Sequence, residues 1–142
     1  MTSVEILLEF ENKVSIGFSP FIENYGFCLH NHFEKIDSFG FSDFQYKRAG
    51  QYIAISLSLL PQDSDIGISV RLWADDNPAT SLNFVVQYLT QADTYKTYNF
   101  YNFQIENSLT EIKEDLTLHL KDFLHGDLKT YHFVANANRG LT

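Results

Sequence analysis

The sequence predicts an α+β fold, in which an antiparallel β-meander sheet is packed on one face by N-terminal and C-terminal helices. Three observations indicate this class. Apolar residues recur at helical spacing near both ends of the chain, they alternate with small or polar residues in the middle, and no Gly-rich phosphate loop separates a strand from a helix. A length of 142 residues is typical of one domain, so we expect residues 1–142 to form a single α+β domain.

The N-terminal region is predicted to be helical because its apolar residues follow one another at steps of one, three and four, as on one face of a helix. These residues are Ile6, Leu7, Phe10, Val14, Phe18, Phe21 and Ile22. Ser19 and Pro20 favour a break or a restart, since Ser caps helices and Pro fits a first helical turn. Gly26 is expected to end the region in a left-handed conformation.

The middle of the chain is predicted to supply the meander. Phe39–Tyr46 alternates imperfectly, and the polar turn "KRAGQ" then leads to the clearest strand, Tyr52–Leu60. In that strand isoleucine and leucine alternate with alanine and serine, which predicts one buried face and one small, polar face. Ile66–Trp73 repeats the pattern after the turn "PQDSD". We expect the helices to cover the face that carries Ile55.

A short helix and an aromatic segment are predicted next. Helical spacing of apolar residues indicates a helix over Ser81–Thr90, capped by Thr80. Tyr95–Tyr101 is rich in aromatic residues but has no clean period, so we interpret it as a loop or an irregular strand.

The best-marked helix lies near the C-terminus. Asn107 or Ser108 is expected to cap it, and Ser108 and Glu111 have the spacing of a capping box. Its apolar stripe consists of Leu109, Ile112, Leu116, Leu120, Phe123 and Leu124. Gly126 is expected to end this helix, and the tail after it is expected to pack back as another short helix.

The chain is acidic, with 18 Asp and Glu against 10 Lys and Arg and a formal net charge of -8. Nucleic acid is bound mainly through Lys and Arg, so this charge argues against a nucleic-acid partner and favours a basic protein partner, unless it serves solubility alone. No apolar run approaches the about 20 residues of a membrane span, and the N-terminus lacks the features of a secretory signal. With 1 Cys no intrachain disulfide can form, so we expect a cytoplasmic protein that does not enter a membrane.

The stretch "NYGFCLHNHF" raises the question of a metal site. Residues two apart on a strand point to the same side, so His30 and His32 are expected to share one side with Cys28. Cys28 would lie too far from His32 for all three to bind one ion, and the sequence offers no convincing third ligand. We therefore expect no metal on these residues, and we expect Cys28 to be buried and inert.

Other signals of catalysis or cofactor binding fail as well. The stretch "DSDIG" lacks the Gly and Glu that a calcium loop requires, and the chain has neither a Gly-x-Ser-x-Gly elbow nor a Gly-x-x-x-x-Gly-Lys loop. Asp75 and Asp76 are interpreted as a hairpin end and not as a catalytic pair. No catalytic, cofactor-binding or metal-binding residue is predicted, and the protein is not expected to be an enzyme.

One surface is predicted to bind a partner. If the apolar residues of Ile66–Trp73 face the helices, Arg71 and Trp73 face outward, and outward Trp and Arg are common binding hot spots. The candidate partner-binding residues are Asp63, Asp65, Arg71, Trp73, Asp75 and Asp76. The alternative is that the C-terminal tail or Tyr95–Tyr101 covers this face.

Three stretches, "FSPFIENYGF", "YIAISLSL" and "LTLHLKDFLHGD", carry a resemblance. In them the chain resembles a loose group of small bacterial α+β proteins of unknown function, some of which are similar to immunity proteins of polymorphic toxin systems. The resemblance implies a cytoplasmic, non-enzymatic protein that binds and inhibits a protein partner, such as a basic toxin, through an acidic surface. The alternative function is that of a small-ligand binder or small enzyme with a pocket between sheet and helices.

Overall fold

The computed structural model describes residues 2–59, 67–75, 77–100 and 104–138, and it confirms the α+β fold. Within these residues the strands are β1 (Cys28–Lys35), β2 (Phe41–Arg48), β3 (Gln51–Ser58), β4 (Ile68–Ala74) and β5 (Thr80–Ser81). They form one antiparallel sheet in the order β1-β2-β3-β4-β5, as expected for a meander.

The helices in the same residues are α1 (Ser3–Lys13), α2 (Ser19–Glu23), α3 (Leu82–Thr90), α4 (Ile105–His119), α5 (Lys121–Leu124) and α6 (Lys129–Asn138). No full break separates α1 from α2. Val14–Phe18 is a π-helical turn, and the Ser19 N–H donates to the Val14 carbonyl, five residues back. This wider turn precedes Pro20, which has no N–H to continue an α-helical ladder. No described helix is long and apolar enough to cross a membrane.

The helices cover one face of the sheet, and it is the predicted face. The inward-facing residues of β2, β3 and β4 form one buried cluster with residues from all of the described helices. The strand residues in this cluster are Phe44, Tyr46, Ile53, Ile55, Leu57, Ile68, Val70, Leu72 and Ala74. The residues that alternate with them point to the other side and do not belong to the cluster.

The predicted start of the long helix is wrong. α4 begins at Ile105, before the expected cap, and Ser108 Oγ donates to the Asn99 carbonyl at 2.5 Å from within the first turn. The Ser108 hydroxyl therefore bonds α4 to the segment that precedes it and does not cap the helix. The apolar stripe is also divided between α4 and α5, because Leu120 leaves the helical conformation with a φ of -128°.

Two further boundaries differ from the prediction. α3 is capped by Ser81 and not by Thr80, since Ser81 Oγ accepts a hydrogen bond from the Phe84 N–H at 3.0 Å. Phe39 lies in a turn before β2, where its N–H donates to Asp37 Oδ1 at 2.9 Å. The local hydrogen bonds of short polar side chains thus move these boundaries by one or two residues.

Arg48, at the end of β2, links the sheet to the ends of both helical regions. Its guanidinium donates to Gln51 Oε1 and to the carbonyls of Tyr25, Phe123 and Leu124. A cation is favourable beside carbonyls at a helix C-terminus, which carry partial negative charge. Gly26 and Gly126 end the two regions with φ of 90° and 95°, and a Cβ added at Gly26 would lie 3.2 Å from Arg48 Cδ. Both predicted glycine stops are therefore confirmed, and both border one side chain.

Arg48→Met should lower the free energy of unfolding by at least about 2 kcal/mol, because it removes a charged donor from several carbonyls at once. Urea unfolding followed by circular dichroism measures the loss. The matched control is Arg71→Met, whose partly exposed ion pair with Asp43 should contribute less than about 1 kcal/mol. Equal losses in the two variants would refute the role given to Arg48.

Ile55→Ala and Leu120→Ala should each lower the free energy of unfolding by about 2–5 kcal/mol, as large-to-small changes in a packed core usually do. Both residues are 0% exposed and belong to the same cluster, as predicted. Ile16→Ala is the control, since Ile16 is 63% exposed. Chemical unfolding that shows a loss below about 1 kcal/mol at both core sites would contradict this assignment of faces.

Candidate functional site

The face of the sheet that points away from the helices carries a stack of four side chains. Tyr52 of β3 and Trp73 of β4 are cross-strand partners, and their rings lie 5.0 Å apart with 2° between their planes. Lys47 Nζ lies 5.5 Å from the centre of the Tyr52 ring, and the Arg71 guanidinium lies 5.7 Å from the centre of the Trp73 ring. We call Lys47, Tyr52, Trp73 and Arg71 the outer stack. Ring–ring and ring–cation contacts each contribute roughly 0.5–1 kcal/mol, so these side chains hold one another in place.

A polar network fixes the Arg71 end of the outer stack. Arg71 Nη2 donates to Asp43 Oδ1 at 2.8 Å, and Gln45 Nε2 donates to Asp43 Oδ2 at 2.9 Å. Ala54 pairs with both Gln45 and Arg71 in the sheet, and it is buried although it points away from the core cluster. The small residue predicted for this face therefore lies beneath polar side chains that are already bonded to one another.

Neither segment expected to cover the outer face does so with its described residues. The aromatic segment is described from Tyr95 to Phe100 and packs on the helix side, where Tyr98 is buried and its hydroxyl donates to Asp115 of α4 at 2.7 Å. α6 also packs into the core cluster, and its Tyr131 hydroxyl donates to the Pro78 carbonyl at 2.8 Å. These contacts place both segments on the opposite side of the sheet from the outer stack.

Of the acidic residues expected at the rim of this face, the structure describes Asp75. Its N–H donates to the Gly50 carbonyl at 2.8 Å and its φ is 47°, so it is held beside the turn between β2 and β3. This is the end of the sheet at which the outer stack lies. Asp63, Asp65 and Asp76 lie outside the described residues.

The centre of the outer face is not acidic. The outer stack brings two cations to it, and Asp43 offsets the charge of Arg71. Much of the acidic charge of the described chain lies on α1 and α4, in Glu5, Glu9, Glu11, Glu106, Glu111, Glu114 and Asp115. Among the described residues the acidic charge is therefore concentrated in the helix layer, and Asp75 is an acidic residue at the rim of the outer face.

A β-bulge separates the two histidines of β1. The pairing of β1 with β2 shifts between Leu29 and Asn31, so His30 is the extra residue. The His30 ring contacts Tyr52 on the outer face, with 6.1 Å between ring centres, whereas His32 points toward α1. The expectation that His30 and His32 share one side of the strand is wrong, because the bulge shifts the alternation between them.

His32 instead meets two carboxylates where α1 approaches β1. His32 Nε2 lies 2.9 Å from Glu11 Oε2 and 3.7 Å from Glu34 Oε2. The buried Ser42 hydroxyl donates to the same Glu11 oxygen at 2.8 Å, and the His32 ring stacks on Phe44 with 4.0 Å between ring centres. We call Glu11, His32 and Glu34 the α1–β1 cluster. One ligand-type atom from each of its members lies within 4.8 Å of the other two.

The two carboxylates of the α1–β1 cluster differ in their affinity for a proton. Burial raises the pKa of Glu11, but hydrogen bonds with Glu34, Ser42 and His32 and the charge of His32 outweigh it and leave this pKa below its ordinary value. The hydrogen bond with Glu11 and the charge of Glu11 raise the pKa of Glu34.

Cys28, the first residue of β1, is exposed, so the expectation of a buried thiol is wrong. The reason is the place of β1 in the sheet. As an edge strand it pairs with β2 alone, and its residues are almost all exposed. The polar and charged composition of the stretch from Cys28 to Lys35 is itself typical of an edge strand, a signal that the expectation of a buried thiol did not use.

Two hollows in the described surface bear on the alternative of a pocket between sheet and helices. One lies between α3 and residues 92–97, and the other lies along the outside of α4 next to Phe21 of α2. No described strand residue lines either hollow. Both therefore belong to the surface of the helix layer.

Sequence reasoning identified Arg71 and Trp73 but missed Lys47 and Tyr52 of the same stack. Tyr52 could have been found from the sequence. It is one of the outward-facing residues of β3, and the alternation had already identified the inward-facing residues of that strand. Its pairing with Trp73 follows only from the register between two strands. The α1–β1 cluster was missed because Glu11 is far from the strand in the sequence.

Comparison of the chain with protein-family models, with curated proteins and with solved structures found no significant match.

Tyr52→Ala should expose Trp73 and raise the quenching of its fluorescence by acrylamide, because Tyr52 covers one face of its ring. The measurement is specific, since the chain has 1 Trp. Tyr88→Ala is the matched control on α3 and should leave the quenching constant unchanged. Indistinguishable quenching in wild type and Tyr52→Ala would show that the outer stack does not persist in solution.

Proposed function

We propose that this protein is a non-enzymatic binding or inhibitor protein that holds another protein on the outer face of its sheet. The observation that carries the proposal is the outer stack, a set of four mutually fixed side chains on a sheet face away from the described helices. Trp, Tyr and Arg are the side chains most enriched among binding hot spots.

Preorganisation of the outer stack supports a binding role. Ordering a rotamer-rich side chain at an interface costs roughly 0.5–1.5 kcal/mol, and much of that ordering exists before a partner arrives. Arg71 is held by Asp43 and Trp73, and Lys47 lies against Tyr52. A partner therefore meets large side chains in a fixed arrangement.

The charge of the chain indicates the kind of partner. A net charge of -8 attracts a basic protein over a distance, and rim charges such as Asp75 act mainly on the rate of encounter. The rings of Tyr52 and Trp73 then supply apolar contact area at the centre. An immunity-like protein that neutralises a basic toxin in the cytoplasm is the form of this function that the resemblance implies.

Trp73→Ala should raise the dissociation rate of the complex by roughly 30-fold, the equivalent of losing a hot spot of about 2 kcal/mol. Asp75→Lys combined with Asp76→Lys should instead slow association and flatten its dependence on salt, since rim charges mainly steer encounter. The partner is identified by affinity capture from the native host with quantitative mass spectrometry. Surface plasmon resonance at two salt concentrations then gives the rates.

Leu118→Ala is the matched control, because Leu118 lies on α4 in the helix layer and is 75% exposed. A captured protein qualifies as the partner if it is enriched on the wild-type chain over resin without bait and binds the purified wild-type chain, and Leu118→Ala should bind it at the wild-type rates. A partner whose rates stay at the wild-type values in both sheet variants would place the interface elsewhere. A small molecule that raises the Tm when no protein partner is captured would favour the ligand-binding alternative.

A further inference from the structure

We propose that the α1–β1 cluster binds one zinc-class divalent cation, with Glu11 Oε2, His32 Nε2 and Glu34 Oε2 as its protein ligands. The bound ion joins helix α1 to the edge strand β1. This site lies on the helix side of the sheet and is independent of the binding role of the outer stack.

The three atoms suit such an ion in kind and in spacing. Imidazole nitrogen and carboxylate oxygen bind Zn²⁺ at about 2.0–2.2 Å, so the ligand atoms of a tetrahedral site lie roughly 3.4 Å apart. His32 Nε2 lies 2.9 Å from the Glu11 oxygen and 3.7 Å from the Glu34 oxygen. These two separations bracket the tetrahedral value, so small side-chain rotations bring the atoms around one ion.

Two of the ligands are held in place by neighbouring groups. Ser42 donates to the Glu11 oxygen that would bind the ion, and Phe44 stacks on the His32 ring and fixes its plane. Groups that orient metal ligands in this way normally accompany the ligands themselves. Glu34 is the most accessible ligand, with 48% of its side chain exposed, which leaves room for water to complete the coordination.

The balance of charge in the cluster also favours a cation. Within the described residues Glu11 and Glu34 form ion pairs with His32 alone. Lys13 and Lys35, the lysines nearest to the cluster along the chain, pair with other carboxylates. Two adjacent carboxylates beside one imidazole carry excess negative charge, which either a shared proton or a metal ion can offset.

The β-bulge at His30 assembles the site. The extra residue shifts the alternation of β1, and His32 and Glu34, which lie beyond it, point toward α1. Both residues pair with inward-facing positions of β2, opposite Phe44 and Ser42. Glu11 reaches the same place from helix α1.

The test uses the full chain with Cys28→Ser, so that the exposed thiol does not bind added metal. After treatment with EDTA and dialysis, isothermal titration calorimetry with ZnCl₂ should show one saturable site per chain, and zinc should raise the Tm. His32→Ala and Glu34→Gln should each weaken binding at least about tenfold, and Ser42→Ala should weaken it by roughly 10–100-fold because it releases a ligand.

His30→Ala is the matched control, since it removes the same kind of side chain two positions earlier and should bind zinc like the parent. Glu34 is exposed, so Glu34→Gln tests the site even if His32→Ala fails to fold. The absence of saturable binding would overturn the proposal. So would binding that persists in both Glu34→Gln and His32→Ala, or binding that His30→Ala abolishes as well.

Discussion

The guanidinium of Arg48 is the contact on which the arrangement of the layers depends. It joins the end of the N-terminal helical region, the end of α5 and the turn between β2 and β3 through four hydrogen bonds. Because a charge partly removed from water must keep its partners, neither helical end can shift independently of this turn. The two strands that meet there also carry Lys47 and Tyr52 on the opposite face. The turn that this network holds on the helix side therefore lies next to the outer stack in the sheet.

The sheet separates two surfaces with different chemistry. On one side, two acidic helices and the α1–β1 cluster surround an apolar core. On the other side lie aromatic rings and cations, with Asp75 at one end. A net charge calculated for the whole chain averages over these surfaces. Long-range attraction and close contact can therefore be supplied by different parts of the molecule, because the first acts over many ångströms and the second does not.

The parts of the fold that depend on local periodicity could be predicted from the sequence. Alternation around Ile55 identified the buried face, and Gly26 and Gly126 marked helix ends because their left-handed conformation is a local property. The features that the sequence did not predict depend on contacts between different elements of the fold. Ser108 donates to the Asn99 carbonyl, which lies outside its helix, so its partner could be known only from the structure. The bulge at His30 leaves no mark in the composition of β1, so the resulting change of side was also visible only in the structure.

The same bulge has a bearing on colloidal stability. β1 is an edge strand of eight residues, and its Leu29 and Phe33 side chains are each about half exposed. A regular, flat edge of this kind is a template on which further chains can add as strands and grow into fibrils. The extra residue at His30 divides the free hydrogen-bonding edge into two short pieces and increases its twist. One added backbone unit thus makes this edge of the sheet a poorer template for the addition of further strands.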